Sequence, residues 1–509
     1  MATYPQPAPA RDDYAASRAQ LEAMIARLSD TDMAACTQER LEDYLTRSGR
    51  ELQRIVMQDY LDAAARREER LAVVTGADQV ARTRAEPGHT RQLLTTVGPV
   101  EVSRIAYRAP KAANLHPADA VLALPARLHS APLQRAVVHG VADGPLRSAR
   151  EVLARTTGQH LGTRQLQEIA IEAARDVRDF YDQRAERATE HSAAAGTEGR
   201  DLLVLSIDAT GVNMIPSGLR TPTPPRPAAP QPPSAQLSSK ERTGRTRMAC
   251  VTACYDAAPA PRTAADILPR DASERAERKK GPAARNRHMD ASLEHSTATM
   301  VTTLFDQAEC RDPEHLRRWI VLVDGANHQL DCLTQEAARR GVSIDIIIDF
   351  VHVLEYLWKA ADDLHPTQHT RAAFVQQAAR DLLEGHAPRV IADLHAHRRA
   401  HTAADRPAPG LDRAAAYLEA KQPYLDYHIA LTLGWPIATG VIEGSCRFLV
   451  KDRLDVTGAR WSLPGGEAVL LLRAVIANGD FTEYWQHHMR RDYQRTHAAL
   501  YQEQLDIAA

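Results

Sequence analysis

Three acidic residues carry most of the chemistry this sequence can do: Asp208, Asp324 and Glu443. Asp208 ends the apolar run 202–207, and Asp324 ends the run 319–323, so each sits where a buried strand reaches its tip. Glu443 lies in Gly440-Val441-Ile442-Glu443-Gly444-Ser445, which opens a helix-like stretch. An unpaired carboxylate is costly to bury, so an acid in such a place needs a compensating cation, a hydrogen-bond cage or a metal ion. Three such acids converging point to divalent metal, and hard oxygen ligands suit magnesium or manganese. Taken singly, each acid also reads as a helix cap, a surface charge or half of a salt bridge.

Other residues fall around this trio. Asp349 and His352 are three apart across a strand-to-helix junction, where His352 can donate to a phosphate oxygen or orient a ligand carboxylate while Asp349 fixes its tautomer. The plainer reading makes Asp349 a helix N-cap and His352 a packed ring. Arg447, Lys451 and Arg453 recur at near-helical spacing behind Glu443 and put positive charge where a phosphate backbone would lie. Arg460 and Trp461 add a guanidinium and an aromatic plane able to hold an unstacked base, although a tryptophan serves core packing equally well. Cys250 and Cys254 share a strand face and read as packed thiols; with no second pair they make no zinc site. His395, His397 and His401 lie in an Ala/His-rich helical stretch and read as solvated.

Composition bounds what surrounds these residues. The chain has 509 residues, enough for several domains with real cores, and its formal net charge is -2 at pH 7. No global positive field advertises nucleic acid, so any such contact rests on local basic patches. Six scattered cysteines, no signal peptide and no apolar stretch of membrane-spanning length fit a reducing cytoplasm.

The elements that must position the acids follow from patterning. Residues 1–12 are Pro/Ala-rich and expected to be disordered, residues 14–73 have helical periodicity, and 91–106 read as a hairpin about a Gly98-Pro99 break. Three helical patterns fill 133–184, with 148–156 and 163–177 at helix-turn-helix spacing; Arg164, Gln165 and Gln167 open the second helix and are types that read bases or phosphates. Strand character begins after Gly196. The tract 221–233 is proline-rich and expected as an exposed loop, and 270–287, with seven basic residues against three acids, reads as a mobile, net-positive loop. Strands and helices then alternate through 293–349, followed by helical sequence to 433, the Glu443 segment and a helix over 465–478. The tail from 481 to 505 is amphipathic, fit for a partner helix or DNA. The organisation expected is an N-terminal helical region with a hairpin (1–125), a helix-turn-helix region (126–195), an α/β core in two parts (196–365 and 434–478) split by an all-α insertion (366–433), and a helical tail (479–509).

The intervals explain the insertion. Asp208 to Asp324 is 116 residues and Asp324 to Glu443 is 119, too long for neighbouring elements without inserted chain. A ribonuclease-H-like α/β sheet interrupted before its last catalytic helix accommodates all three acids, with Asp208 on the first strand and Asp324 on the fourth. The sequence resembles the ISKra-type bacterial insertion-sequence transposases, within the wider DDE transposases. The resemblance rests on Ser206-Ile207-Asp208-Ala209-Thr210-Gly211, Val321-Leu322-Val323-Asp324-Gly325-Ala326, the run from Ile347 through Asp349 and His352 to Tyr356, and Gly440 to Arg447 with Thr457-Gly458-Ala459-Arg460-Trp461-Ser462 behind it. It covers about residues 202–478, more weakly the helix-turn-helix region, and Asp349 with His352 resembles the D-x-x-H signature of Mutator-like transposases. The resemblance implies cleavage and joining of DNA at the terminal inverted repeats of a mobile element and at target DNA. It also implies two magnesium or manganese ions held by Asp208, Asp324 and Glu443, a homodimer or larger assembly on DNA, no membrane partner, no small-molecule cofactor, and action on the bacterial nucleoid. A catalytically silent or host-serving DNA-binding protein or nuclease derived from such an enzyme is the alternative.

Overall fold

A computed structural model describes residues 12–191, 201–219, 245–270, 272–403, 406–456 and 458–501. The expected disorder of the first residues and the proline-rich tract 221–233 lie outside the described residues, as does Thr457. The chain forms two compact units, one from residues up to 176 together with those from 482 onward, the other from residues 177–481.

The first unit begins with helices α1 (Ala15–Leu28) and α2 (Gln38–Arg67). Strands β1 (Arg84–Thr95) and β2 (Gly98–Arg108) pair antiparallel from Arg84 opposite Arg108 to Thr95 opposite Gly98. The turn therefore falls on Thr96 and Val97, ahead of the expected break, and Pro99 stays in the ladder opposite Leu94. Leu61 of α2 packs into the apolar side of this hairpin with Leu93, Val100 and Val102. Helices α3 (Ala131–Asp143), α4 (Leu146–Thr157) and α5 (Thr163–Ala174) then pack on one another pairwise. Gly158 ends α4 at φ 72°, the left-handed backbone that glycine adopts without penalty.

The second unit opens with α6 (Val177–His191) and is built on a five-stranded mixed sheet. Its strands are β3 (Leu202–Asn213), β4 (Thr246–Ala257), β5 (Ala284–Ser292), β6 (Trp319–Val323) and β7 (Ile344–Ile348), in the spatial order β5-β4-β3-β6-β7. β3, β4 and β5 run antiparallel in sequence, whereas β6 lies parallel to β3 and β7 parallel to β6. Every residue from Leu202 to Ile207 is buried, as is every residue of β6, so both sheet faces are covered at the centre. Helix α7 (Thr297–Glu309) packs against β3 and β4. Helices α8 (Asn327–Arg340) and α9 (Phe350–Leu364) follow β6 and β7 directly. The described residues of 366–433 carry the helices α10 (Gln368–Leu383), α11 (Ala387–Ala403) and α12 (Pro409–Lys421), with a short helix over Tyr427–Thr432. α12 packs against α9. Helix α13 (Gly440–Ser445) widens into a π-turn over Cys446–Lys451 and leads to α14 (Leu463–Ala477), while α15 (Phe481–Thr496) belongs to the first unit.

The stretch 270–287 is a correction to the sequence reading. It holds a short helix, Ala272–Glu277, and the start of β5, the outermost strand beside β4. An edge strand keeps one margin in water, so charged residues such as Arg285 and Arg287 hide its strand character. Among the described residues, no helix is long and apolar enough to cross a membrane.

Candidate metal-binding site

Sheet register explains how residues far apart in sequence meet. β3 and β6 pair from Leu203 opposite Trp319 to Leu205 opposite Val321; the same register carried three residues onward puts Asp208 opposite Asp324. β6 and β7 pair through Val323 opposite Ile348, so the next row sets Asp324 opposite Asp349, and the Asp349 amide donates to the Val323 carbonyl at 2.8 Å. Three carboxylate residues thus form a row across three adjacent parallel strands, whose spacing is about 4.8 Å. Gly325 makes the exit from β6 possible: its φ is 88°, and a Cβ there would stand 2.9 Å from both Ile348 Cδ1 and the Tyr417 hydroxyl.

Asp208 is half-buried on β3. One carboxylate oxygen accepts the Ala209 amide at 2.6 Å, and the other accepts the Cys446 thiol at 3.4 Å. Burial pushes its pKa up and neighbouring Asp324 pushes it further, against the opposing pull of the Ala209 amide, the thiol and Lys451. The Cys446 thiol is itself raised, first by burial and then by Asp208. A thiol is a weak donor, so burial of Asp208 is only partly compensated by what surrounds it. Asp324 lies at the surface of the same pocket of charge, with Oδ1 accepting the Ala326 amide at 3.1 Å and its carbonyl accepting the Tyr417 hydroxyl at 2.6 Å.

Glu443 is exposed on α13, one turn ahead of Cys446 and so on the same helical face as the thiol that touches Asp208. Its Oε1 is 3.3 Å from the Thr439 hydroxyl. The three acids do not place a ligand oxygen each within 4.8 Å of one another; among the described residues only Asp381, Glu384 and His386 bring one ligand atom each, two oxygens and an imidazole nitrogen, within that distance. That second group sits at the end of α10, where Asp381 accepts from Gln377 and its carbonyl accepts the His386 amide, which is ordinary helix-end bonding. A two-ion site does not require the tighter spacing, since only the shared acid need reach both ions, which stand about 3.5–4 Å apart. The donor set of Asp208, Asp324 and Glu443 is all hard oxygen and so fits magnesium or manganese.

Several sequence expectations change here. Asp349 is 3 % exposed, caps α9 through the Val351 amide at 2.9 Å and accepts the Thr439 hydroxyl at 2.5 Å. It does not hold His352, whose Nδ1 stands 3.7 Å from Glu355 and whose ring meets Tyr356 and Tyr417 edge-on. Arg453 is 2 % exposed and stacks its guanidinium over the Trp461 ring at 4.8 Å, and Trp461 is 6 % exposed with its indole N–H on the Leu454 carbonyl at 3.0 Å. Both are interior, which corrects the expectation that they meet DNA: the guanidinium lies over the face of the indole inside the fold. Arg447, Lys451 and Arg460 are exposed; Arg447 stands 3.5 Å from Asp452.

On the helix pair in the first unit, Gln165 caps its own helix by accepting the Gly162 amide at 2.8 Å, and Arg164 pairs with Glu168 at 2.9 Å. Gln167 is half-buried and also has a partner. On α4 of this pair, Arg150 and Arg155 are exposed and line a hollow of about 500 Å³ with Glu151 and His160.

Sequence reasoning missed four residues. Tyr417 and Lys421 reach the Asp324 turn from α12, where Lys421 bonds Asn327. A lysine continuing the apolar stripe Leu411, Ala414, Leu418 was the readable signal. Cys446, three residues after Glu443, and Thr439, at the mouth of α13, were legible only as neighbours of the acid. The chain matches no protein-family model and no curated protein.

Proposed function

We propose that the chain is a DDE-type DNA transposase, with the second unit a ribonuclease-H-like catalytic core and the first unit a DNA-binding region. The observation that carries this reading is the register of the sheet: Asp208 and Asp324 fall in one row on adjacent parallel strands, and the helix bearing Glu443 rests against Asp208 through Cys446. Strand order supports it, since the first strand of the sheet is central and carries the first acid while the fourth delivers the second.

Asp208 would hold both of two divalent ions, Asp324 one and Glu443 the other. When bound, the ions supply a polarised hydroxyl nucleophile and charge stabilisation at the leaving oxygen of a phosphodiester. The chain's own part is to bind and orient. Lys451 brings positive charge beside Asp208, and the exposed Arg447 and Arg460 extend it along the surface where a phosphate backbone would run. In the first unit, the exposed Arg150 and Arg155 suit phosphates flanking a helix pair. Joining two DNA ends calls for at least a homodimer.

The test is a cleavage and joining assay on duplexes made from the DNA flanking the coding region, with magnesium or manganese. Asp208→Asn, Asp324→Asn and Glu443→Gln should each lower cleavage and joining by at least about 100-fold while leaving duplex binding intact. Cutting that survives all three changes removes these acids from the mechanism. Cutting without joining in the unaltered protein favours a nuclease of the same fold.

A further inference from the structure

Thr439 stands between the sheet and Glu443, and its hydroxyl has one proton for two carboxylates. Asp349 Oδ2 is at 2.5 Å and Glu443 Oε1 at 3.3 Å, so the proton goes to Asp349 and Glu443 is left uncommitted. Asp349 is itself immobilised: its amide donates to Val323, its Oδ1 accepts from Val351, and the next amide, of Phe350, donates to the Ile437 carbonyl at 2.9 Å. Residues 437–439, which lead into α13, are therefore stitched to the β7–α9 junction by one backbone bond and one charge-assisted side-chain bond.

We propose that Thr439, held by Asp349, is the positioning residue of the acidic site, fixing the first turn of α13 and with it the direction from which Glu443 approaches Asp208 and Asp324. Asp349 then acts through Glu443 and not as a ligand, because it is 3 % exposed, where Asp208 is half-buried, and its Oδ2 is taken up by the Thr439 hydroxyl. The inference rests on the reading of Asp208, Asp324 and Glu443 as metal ligands.

The experiment measures Mn2+ binding by the full chain, from the loss of the free-ion electron paramagnetic resonance signal, alongside the thermal midpoint. Thr439→Val should weaken Mn2+ binding by about 10-fold, and Thr439→Ser, which keeps the hydroxyl, should stay within about 2-fold of the unaltered protein. Asp349→Asn should weaken binding about as much as Thr439→Val, and the double variant no more than either alone, because both changes break one bond. If Thr439→Val does not fold, Asp349→Asn against Asp324→Asn decides: a loss as large as that of Asp324→Asn makes Asp349 a ligand and overturns the proposal. Unchanged binding in a folded Thr439→Val, or additive losses in the double variant, overturns it as well. Should Asp208→Asn, Asp324→Asn and Glu443→Gln all bind Mn2+ like the unaltered protein, the metal-site reading itself falls and takes this inference with it.

Discussion

The surroundings of Asp208 disfavour its charged form. Burial, then the charge of Asp324, raises its folded pKa above the ordinary carboxylate value. A group raised on folding lends stability that is fully present below the unfolded pKa, about 3.9, and is lost as pH rises through the folded value. At pH 7 the bare carboxylate therefore weakens the fold, as a site built to receive a cation should. Asp208→Asn removes that penalty and keeps the shape. In chelator at pH 7, the variant should melt above the unaltered protein, because its amide carries no charge to desolvate. The difference should vanish below about pH 4. Millimolar Mn2+ should then reverse the order, because only a chain that binds the ion gains from it. A variant that melts lower at pH 7 in chelator would mean the carboxylate is already well compensated by the protein.

Elements were legible where burial is symmetrical. The runs 202–207 and 319–323 announce strands because a central parallel strand is covered on both faces, and Asp324 lies opposite Asp208 because 324 − 208 and 319 − 203 are both 116. The register itself cannot be read from sequence, since nothing local tells β6 which row of β3 to meet. β5 was illegible because it is an edge strand, and Trp461 and Arg453 because an indole over a guanidinium looks the same in sequence whether it faces water or the core. Helix α5 was read correctly as an element, and at its start Gln165 caps the helix while Arg164 pairs with Glu168 at the surface. The exposed Arg150 and Arg155 lie one helix earlier. Replacing Arg150 and Arg155 together with alanine should lower the slope of log affinity against log salt by about 1.8 on random duplex DNA, two phosphate contacts at about 0.9 each. Fluorescence anisotropy between low and moderate salt measures it, and an unchanged slope would free α4 of any phosphate contact.

The first unit is closed by α15, the last α-helix among the described residues. Asp176, just past α5, accepts His488 Nδ1 at 2.7 Å and both terminal nitrogens of Arg495 at 2.6 and 2.9 Å from α15, so residues more than 300 positions apart complete one unit around the insertion of the other. Burial alone would raise the Asp176 pKa, but His488 and Arg495 outweigh it and hold the group well below the usual carboxylate range. A depressed carboxylate contributes stability that is present above the unfolded pKa and is lost as pH falls through the folded one. Asp176→Asn leaves a buried imidazole and a guanidinium facing a neutral amide, a loss of about 3 kcal/mol. For a unit of this size that lowers the midpoint by on the order of 10 °C at pH 7, and the deficit relative to the unaltered protein should begin to shrink below about pH 4, as Asp176 protonates in the unfolded chain, and close only as pH falls through the depressed folded value. Because Asp208, Asp324 and Glu443 all lie in the other unit, the variant's Mn2+ affinity below its melting point should match that of the unaltered protein. Metal binding lost together with the first unit would mean that the acidic site depends on that unit for its shape, and the chain would then work as a single body.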